Sequence, residues 1–439
     1  MSVSQRTLRC QKYYDDREIV RTIRGGTEAL REAGIKYLPK EPGESADSYK
    51  RRLSRSFLTN YTDKCAKNLA SKPFTRPIVV KSNSFQDLAD EYVKAVDGKG
   101  TSLTGLCSTV FEDALWNGSS FIAMDCGIDG GRPYAYHLSG DNVLGYRLDE
   151  DDRLTEIRIL EKAVVGDGAW GEKEASRVRV FKRNGEVVTW SLYDGDVGND
   201  VAIVLDQPFA LKEIPVAPVH SSAVVASGEL FAHPPLKDLA YMNIQHFQES
   251  SDQSNILKIA RIPVLFFSGA AEDAEVAIGS EYAIKGDKEA DLKYVEHSGA
   301  AIGAGRDSLR DLEAKMQSYG SDMLENSGAV ETATGRALRA GETNNRIALM
   351  ALNLASAVEK VMGWIAYFNK ISEPDFHVDI NTEYGINSAP EELTALANAR
   401  TMGDLSREDY LQEMKRRGLL RNDFSMADND DRLSTELVV

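Results

Sequence analysis

Residues 234–260 read PPLKDLAYMNIQHFQESSDQSNILKIA, and the reading of that stretch decides the fold. The proline pair suits the first turn of a helix, so a helix is expected from Leu236 to Ala260. Its centre is unusual. Between Asn243 and Asn255 only Ile244 and Phe247 are apolar. A helix that is polar nearly all round does not hold itself in place by burying one face. The expectation is that water reaches it from more than one side, either in a surface helix hairpin beside a core or with one face lining a water-filled channel.

Downstream, strands are expected at Val264 to Phe267 and Leu292 to Val295, on either side of an acidic turn. A second helix is read from Arg306 to Glu325, where Leu309, Leu312, Met316, Tyr319 and Met323 step by 3 and 4. Such a narrow seam suits packing against one neighbouring helix. Asn326, Ser327 and Gly328 break the pattern, and the small polar residues up to Thr334 read as a mobile loop. The longest helix follows, from Arg339 to Phe368, with one stripe through Ile347, Ala351, Leu354, Val358, Val361, Ile365 and Phe368. At 1.5 Å per residue it spans roughly 45 Å. A strand at His377 to Ile380 precedes a helical C-terminal stretch with a capping sequence at Ser406 and a glycine stop at Gly418.

Upstream, the first quarter reads as helical, broken at Pro39 to Gly43, with Tyr49, Leu53, Phe57 and Tyr61 at helical spacing. The run Lys72 to Pro77 stops a helix, because proline cannot continue one. A strand at Ile78 to Val80, a helix from Thr101 to Trp116 and a strand at Phe121 to Met124 follow. Residues 132–220 change character: β-branched or alternating runs at Tyr134 to His137, Arg153 to Leu160, Val178 to Lys182, Val187 to Leu192 and Val201 to Leu205 are separated by turns. Asn184-Gly185 between two of them is a two-residue hairpin signal. The fold class is therefore α+β and mainly helical, with a largely antiparallel β subdomain set between helical parts.

Composition narrows the function. The 439 residues carry 52 Lys and Arg against 68 Asp and Glu, a net of −16, and 42% of side chains are apolar. Two or three globular units fit that length. The net charge argues against gripping nucleic acid by broad phosphate neutralisation. Residues 1–76 hold 17 basic and 9 acidic side chains, so the remainder is more acidic still. Those early cations read as the solvated face of a packed helix. Cys10, Cys65, Cys107 and Cys126 form no CxxC pair, which favours a reducing compartment and argues against zinc. The longest uncharged stretch, Ile214 to Gly228, has 15 residues and two prolines, short of a membrane span, and no secretory signal is visible.

Catalytic patterns are missing. No GxxxxGK[ST] is present, and the glycine-rich Gly299 to Gly305 lacks the lysine and hydroxyl that phosphate binding needs. The six histidines never form HExxH, and Asp194-Gly195-Asp196 lacks the glutamate that would complete a calcium loop. The acidic run Asp149, Glu150, Asp151, Asp152 reads as a hairpin tip. No catalytic residue, metal or cofactor is expected.

Several local motifs, in order, carry a resemblance. They are Tyr37-Leu38-Pro39-Lys40 with Pro42-Gly43-Glu44-Ser45 and Tyr49; Lys72-Pro73-Phe74 with Arg76-Pro77; Pro234-Pro235-Leu236-Lys237-Asp238-Leu239-Ala240 with Asn243 and His246; Tyr294-Val295-Glu296 with Ser298-Gly299; and Glu331-Thr332-Ala333-Thr334. With the order helix, β excursion, helix, loop, long helix, the chain from about residue 37 onward resembles the portal, or head-to-tail connector, proteins of tailed bacteriophages.

That resemblance implies a ring-forming fold, with a dodecamer at one capsid vertex through which double-stranded DNA enters and leaves. By position it implies a wing at residues 1–235, stem helices at 236–260 and 306–325, a clip at 261–305, a tunnel loop at 326–337, a long wing helix and strand at 338–387 and a crown at 388–439. Partners would be further copies of the chain, the major capsid and scaffolding proteins, the terminase and the head-completion or tail adaptor, with no membrane. The protein would be made in the bacterial host cytoplasm and reside in the virion. Lys258, Arg261 and Arg336, with Asn326, Ser327 and Gly328, are the candidates facing DNA. Leu309, Leu312 and Met316 are candidates for the subunit interface, and Lys285, Asp287, Lys288 and Glu289 for docking of terminase or adaptor. Two competing readings are another virion structural or minor capsid protein without a DNA channel, and an unrecognised nucleic-acid enzyme.

Overall fold

The computed structural model describes residues 2–126, 131–195, 200–222, 225–261, 264–268, 291–295, 300–321, 333–384, 390–420 and 424–436. Its helices in chain order begin with α1 (Leu8–Asp16), α2 (Glu18–Arg24), α3 (Gly26–Ala33), α4 (Ala46–Arg55), α5 (Tyr61–Ser71), α6 (Gln86–Lys94) and α7 (Leu103–Asn117). After the β region come α8 (Lys237–Ala260), α9 (Ala300–Ser321), α10 (Ala333–Phe368), α11 (Pro390–Met402), α12 (Arg407–Arg416) and α13 (Met426–Glu436). The strands are β1 (Val79–Lys81), β2 (Ser119–Asp125), β3 (Tyr134–Ser139), β4 (Val143–Leu148), β5 (Leu154–Asp167), β6 (Gly171–Asn184), β7 (Val187–Asp194), β8 (Ala202–Phe209), β9 (Val216–His220), β10 (Val264–Ser268), β11 (Asp291–Val295) and β12 (His377–Asp379). The architecture is an α+β mixture. The chain divides into two compact units, one of residues 1–15, 66–235 and 322–439, the other of residues 16–65 and 236–321.

The first unit is built around β2, all seven residues of which are buried. It pairs antiparallel with β3 on one side and β9 on the other, and α7 and α10 both pack on this sheet. A strand buried on both faces needs partners for its polar side chains. Ser119 Oγ lies 2.9 Å from His220 Nδ1 and accepts from the Ala232 amide at 2.7 Å, while Ser120 Oγ lies 3.0 Å from His137 Nε2. Gly118 enters β2 at φ +83°, and a Cβ there would fall 2.3 Å from the Ala232 carbonyl oxygen, so only glycine fits.

The 36 residues of α10 bury Ile347, Ala351, Leu354, Val358, Val361 and Ile365. The segment Asn344–Phe368 is long and apolar enough to cross a membrane, but this stripe is buried in the protein core. Arg76, from the helix-stopping run, donates to the Lys415 and Arg416 carbonyls and satisfies the C-terminal end of α12.

In the same unit, β4-β5-β6-β7-β8 form an antiparallel meander. Asn184 pairs with Val187, so the two-residue β6–β7 turn is Gly185-Glu186, one position on from the Asn-Gly signal, with Gly185 at φ +62° in its first place. Arg179 on β6 reaches Asp125 on β2 at 2.9 Å and Glu161 at 2.5 Å, tying the two sheets together. The acidic tip at 149–152 is consumed by turn bonds: Asp149 accepts from Arg153 and Arg183, and Asp152, at φ +57°, accepts from Ser227 and the Gly228 amide.

The second unit places α8 and α9 side by side. The pairs Gln253 to Ile302, Glu249 to Ser308 and His246 to Glu313 run in opposite directions along the two helices, which are therefore antiparallel. Two sequence expectations are corrected here. The glycine-rich stretch expected in a loop lies in α9 from Ala300 onward, where Gly305 stands so close to Gln253 that a Cβ would meet its Oε1 at 2.3 Å. The helical spacing of Tyr49, Leu53, Phe57 and Tyr61 is interrupted, because α4 ends at Arg55 with an extended Ser56, leaving Phe57 60% exposed.

Burial lowers the pKa of His220 from its ordinary 6.5 to about 4. Between those values the unfolded chain binds a proton that the folded chain refuses. The contribution of His220 is therefore present above pH 6.5 and lost as pH falls toward 4, by at most about 3 kcal/mol. Urea unfolding of wild type and His220→Gln at pH 7, 5.5 and 4 should show the wild type losing stability more steeply; parallel pH profiles would refute this.

Candidate interaction site on the helical hairpin

The polar centre of α8 is not a water-washed surface. Asn243 is fully buried: its Oδ1 accepts from the Thr62 amide at 3.1 Å and the Thr62 hydroxyl at 3.2 Å, and its Nδ2 donates to the Thr59 carbonyl at 2.9 Å. It thus caps the N-terminal turn of α5 from a distant part of the chain. His246, 4% exposed, sets Nε2 3.1 Å from Glu313 and meets the Tyr61 ring edge-on, leaving Nδ1 without a hydrogen-bond partner. Gln248 donates to the Tyr37 carbonyl, and Ser251 accepts from Ser56 at 2.8 Å. The expectation that this centre faces water on several sides holds only in part: Asn243, His246, Gln248, Ser251 and Gln253 are spent on α4, α5, α9 and the segments beside them, while Gln245, Ser254 and Asn255 stay exposed.

The second anchor is Arg52, whose side chain is 5% exposed. Its Nε and Nη2 donate to the two oxygens of Glu44 at 3.0 and 2.9 Å, Nη2 also reaches the Pro39 carbonyl at 2.6 Å, and Nη1 approaches Asp252 of α8 at 3.5 Å. These bonds hold the Glu44 carboxyl below its ordinary range, whereas burial raises that of Asp252. The turn that delivers Glu44 uses Pro42 then Gly43 at φ +80°, and Ser45 caps α4 by accepting from the Ser48 amide at 3.1 Å. The motif Tyr37 to Tyr49 is thus a device for presenting one carboxylate to one guanidinium. Breaking such a buried pair on one side costs about 3–5 kcal/mol.

The seam on α9 faces inward. Leu312 and Met316 are 6% and 1% exposed, and Leu309 is half-buried, on the helix that packs against α8. Within one chain the hairpin covers Leu312 and Met316 and leaves Leu309 half-buried; the subunit interface expected at these three residues concerns the assembled ring. An aspartate at 312 would open the hairpin instead of merely separating subunits.

At the far end of the hairpin, β10 and β11 pair antiparallel from Val264 with Val295 to Ser268 with Asp291. Lys285, Asp287, Lys288 and Glu289, between these strands in sequence, lie outside the described residues. So do Asn326, Ser327 and Gly328. Arg336, expected in a loop, lies in α10, which begins at Ala333.

Lys258 and Arg261 are exposed at the C-terminal end of α8, and Lys258 joins Arg51 and Arg55 around a cleft of about 120 Å³ that Ser48, Ser254 and Asn255 also line. Among the described residues none of these four cations has an ion-pair partner. Sequence reading missed Arg51 and Arg55. Their i, i+4 spacing on α4 was the available signal, and only the fold brings them beside Lys258.

Among the described residues no catalytic arrangement emerges. Ser120, His137 and Asp113 lie together, but Ser120 and Asp113 both contact His137 Nε2, at 3.0 and 3.2 Å. A relay needs them on opposite ring nitrogens. Among the described residues, no group of three or more His, Cys, Asp or Glu could hold a metal ion.

The family model described as a domain of unknown function, DUF4055, matches residues 235–369, the span from the start of α8 to the end of α10. No curated protein matches by sequence. Among solved structures, the chain is similar to one from the "Virion of native gene transfer agent (GTA) particle", at 12% identity and a TM-score of 0.47, covering 86% of this chain and 96% of that one. It is similar to a chain from the "Neck of native GTA particle computed with C12 symmetry", at 13% identity and a TM-score of 0.45, covering 87% and 96%. A chain from the "Neck of empty GTA particle computed with C6 symmetry" matches at 12% identity and 0.44, covering 86% and 96%.

Asn243→Ala leaves the Thr62 amide unpaired at a fully buried site, which costs about 1–3 kcal/mol. Guanidinium unfolding should show that loss while Gln245→Ala, an exposed neighbour, stays within about 0.5 kcal/mol. Equal effects from the two variants would contradict the capping role.

Proposed function

We propose that this chain is a portal protein of a phage-like particle: a structural, non-enzymatic subunit that assembles into a ring, most simply of twelve copies, at the head-to-tail connection. One observation carries the reading. A rigid antiparallel hairpin, α8 and α9, ends in a strand pair and presents unpaired cations at one end in an otherwise strongly acidic chain. At 1.5 Å per residue the 24 residues of α8 reach about 36 Å, a suitable length for a channel-forming stem. The internal stapling of α8 through Asn243, Ser251 and Arg52 supports such a role, since a conduit must not deform as its cargo passes.

Electrostatics fits a sliding cargo. Twelve copies at −16 each bring a formal charge of −192 to the ring. An acidic wall repels a phosphate backbone, which favours passage of double-stranded DNA over tight binding. Isolated cations at Lys258, Arg261, Arg51 and Arg55 would repeat around the ring as separate points of contact. In this reading Arg336 and residues 326–328 belong near the channel, and residues 285–289 belong to the surface that docks the terminase and then the head-completion or tail adaptor. The particle would be virion-borne, with capsid and scaffolding proteins as further partners.

The deciding experiment is particle mass and symmetry, by native mass spectrometry with electron-microscopic class averages. Twelve copies of the 48.4 kDa chain give about 580 kDa, with twelvefold views around a central hole. A chain that stays monomeric even when coexpressed with its capsid and scaffolding partners would overturn the ring, leaving a virion component without a channel as the better reading.

A further inference from the structure

The cleft between α4 and α8 reverses the charge balance of the chain around it. The protein holds 68 acidic against 52 basic side chains, yet Arg51, Arg52, Arg55 and Lys258 line this cleft, and among the described residues no carboxylate does. Arg52 is answered by Glu44. Arg51, Arg55 and Lys258 are exposed, and among the described residues their side chains have no ion-pair or hydrogen-bond partner.

Both walls are helix faces. Ser48, Arg51 and Arg55 lie three and four residues apart on α4, and Ser251, Ser254 and Lys258 do so on α8, the spacings that bring side chains to one face. Like charges at i, i+4, as in Arg51 and Arg55, destabilise a helix unless an anion sits between them. The buried part of the cleft is fixed, because Ser56 donates to Ser251 at 2.8 Å and Glu44 clamps Arg52. The backbone beneath the free cations is therefore set before any ligand arrives, which lowers the cost of binding one.

The donors decide the ligand. A guanidinium fork matches carboxylate and phosphate alike, but the hydroxyls of Ser48 and Ser254 and the amide of Asn255 line the walls beside the cations. A tetrahedral phosphate turns oxygens toward both walls at once, whereas a carboxylate keeps its oxygens in one plane. The cleft's volume of about 120 Å³, against roughly 10–15 Å³ for a water, has room for such a group.

We infer that this cleft is a phosphate-binding site, in which Arg51, Arg55 and Lys258 carry the charge and Ser48, Ser254 and Asn255 complete the donor set. The inference deepens the reading of these cations as points of contact, because it gives them one discrete ligand group, supplied by a nucleic-acid backbone or by free phosphate. The site lies within a single chain, so it can fail while the ring stands.

The test is calorimetric titration of the full chain with inorganic phosphate at constant ionic strength, with chloride as the comparison. Expected is saturable binding of a single phosphate per chain, weakened about tenfold by Arg55→Gln and by Lys258→Gln, in line with the loss of one charge-assisted bond. Lys50→Gln, at an exposed cation of α4 outside the cleft, should leave binding unchanged. Thermal melts in chloride that match the wild type separate lost binding from lost folding. A short DNA duplex that displaces phosphate from the wild type identifies the backbone as the source, and phosphate held against excess duplex identifies free phosphate. Heat no greater than with chloride, binding that never saturates, or equal weakening by Lys50→Gln would overturn the site, and none of these outcomes bears on particle mass or symmetry.

Discussion

The structure of the hairpin unit depends on a single constraint: α8 carries a polar centre into a buried place, and each of those polar groups needs a partner there. Burying an unpaired amide or hydroxyl costs about 1–3 kcal/mol, and a charge costs more. Asn243 meets the constraint by capping α5, Ser251 by accepting from Ser56, and Gln248 by donating to the Tyr37 carbonyl. Arg52 meets it from the other side, closing on Glu44, Pro39 and Asp252. These bonds are directional, so they fix one rotation and one height of α8 against its neighbours, which apolar contacts alone specify less sharply.

This explains why motifs so far apart in sequence belong together. The run from Tyr37 to Tyr49 meets α8 beyond His246: Tyr37 accepts from Gln248, and Arg52, gripped by Glu44, reaches Asp252. Pro42-Gly43 makes the turn, Ser45 starts the helix, and Glu44 is left where the guanidinium of Arg52 can grip it with two bonds. Lys237 similarly pairs with Asp16 at the base of α8. The residues that looked like a binding surface are structural, and the chemistry left free lies at the end of the helix, where Lys258, Arg51 and Arg55 surround a small cleft.

The first unit follows the opposite plan. Its β2 is apolar through the centre and buried on both faces, and its few hydroxyls are answered by His220 and His137. Stability there comes from apolar area, with α7 and α10 packed on the sheet.

Local chemistry in the sequence was enough for elements whose cause is local. Asn184-Gly185 announced its hairpin because the positive φ needed at the turn suits glycine, which stands at Gly185, and the stripe of α10 announced a core helix because seven apolar residues recur at helical spacing. The extra turns of α9 before Arg306 were hidden, since glycines argue for a loop unless a neighbouring helix needs the space they leave. The polar centre of α8 was read as solvent-facing because a pattern of side chains along one helix cannot say whether partners wait across the gap. Only tertiary structure supplies Thr62, Ser56 and Arg52 at hydrogen-bonding distance, from residues about 180–200 positions away in the chain. Sequence by itself determined those helices and strands whose cause is local; the placing of distant partners decided which of their polar groups are consumed by the fold and which remain free to act.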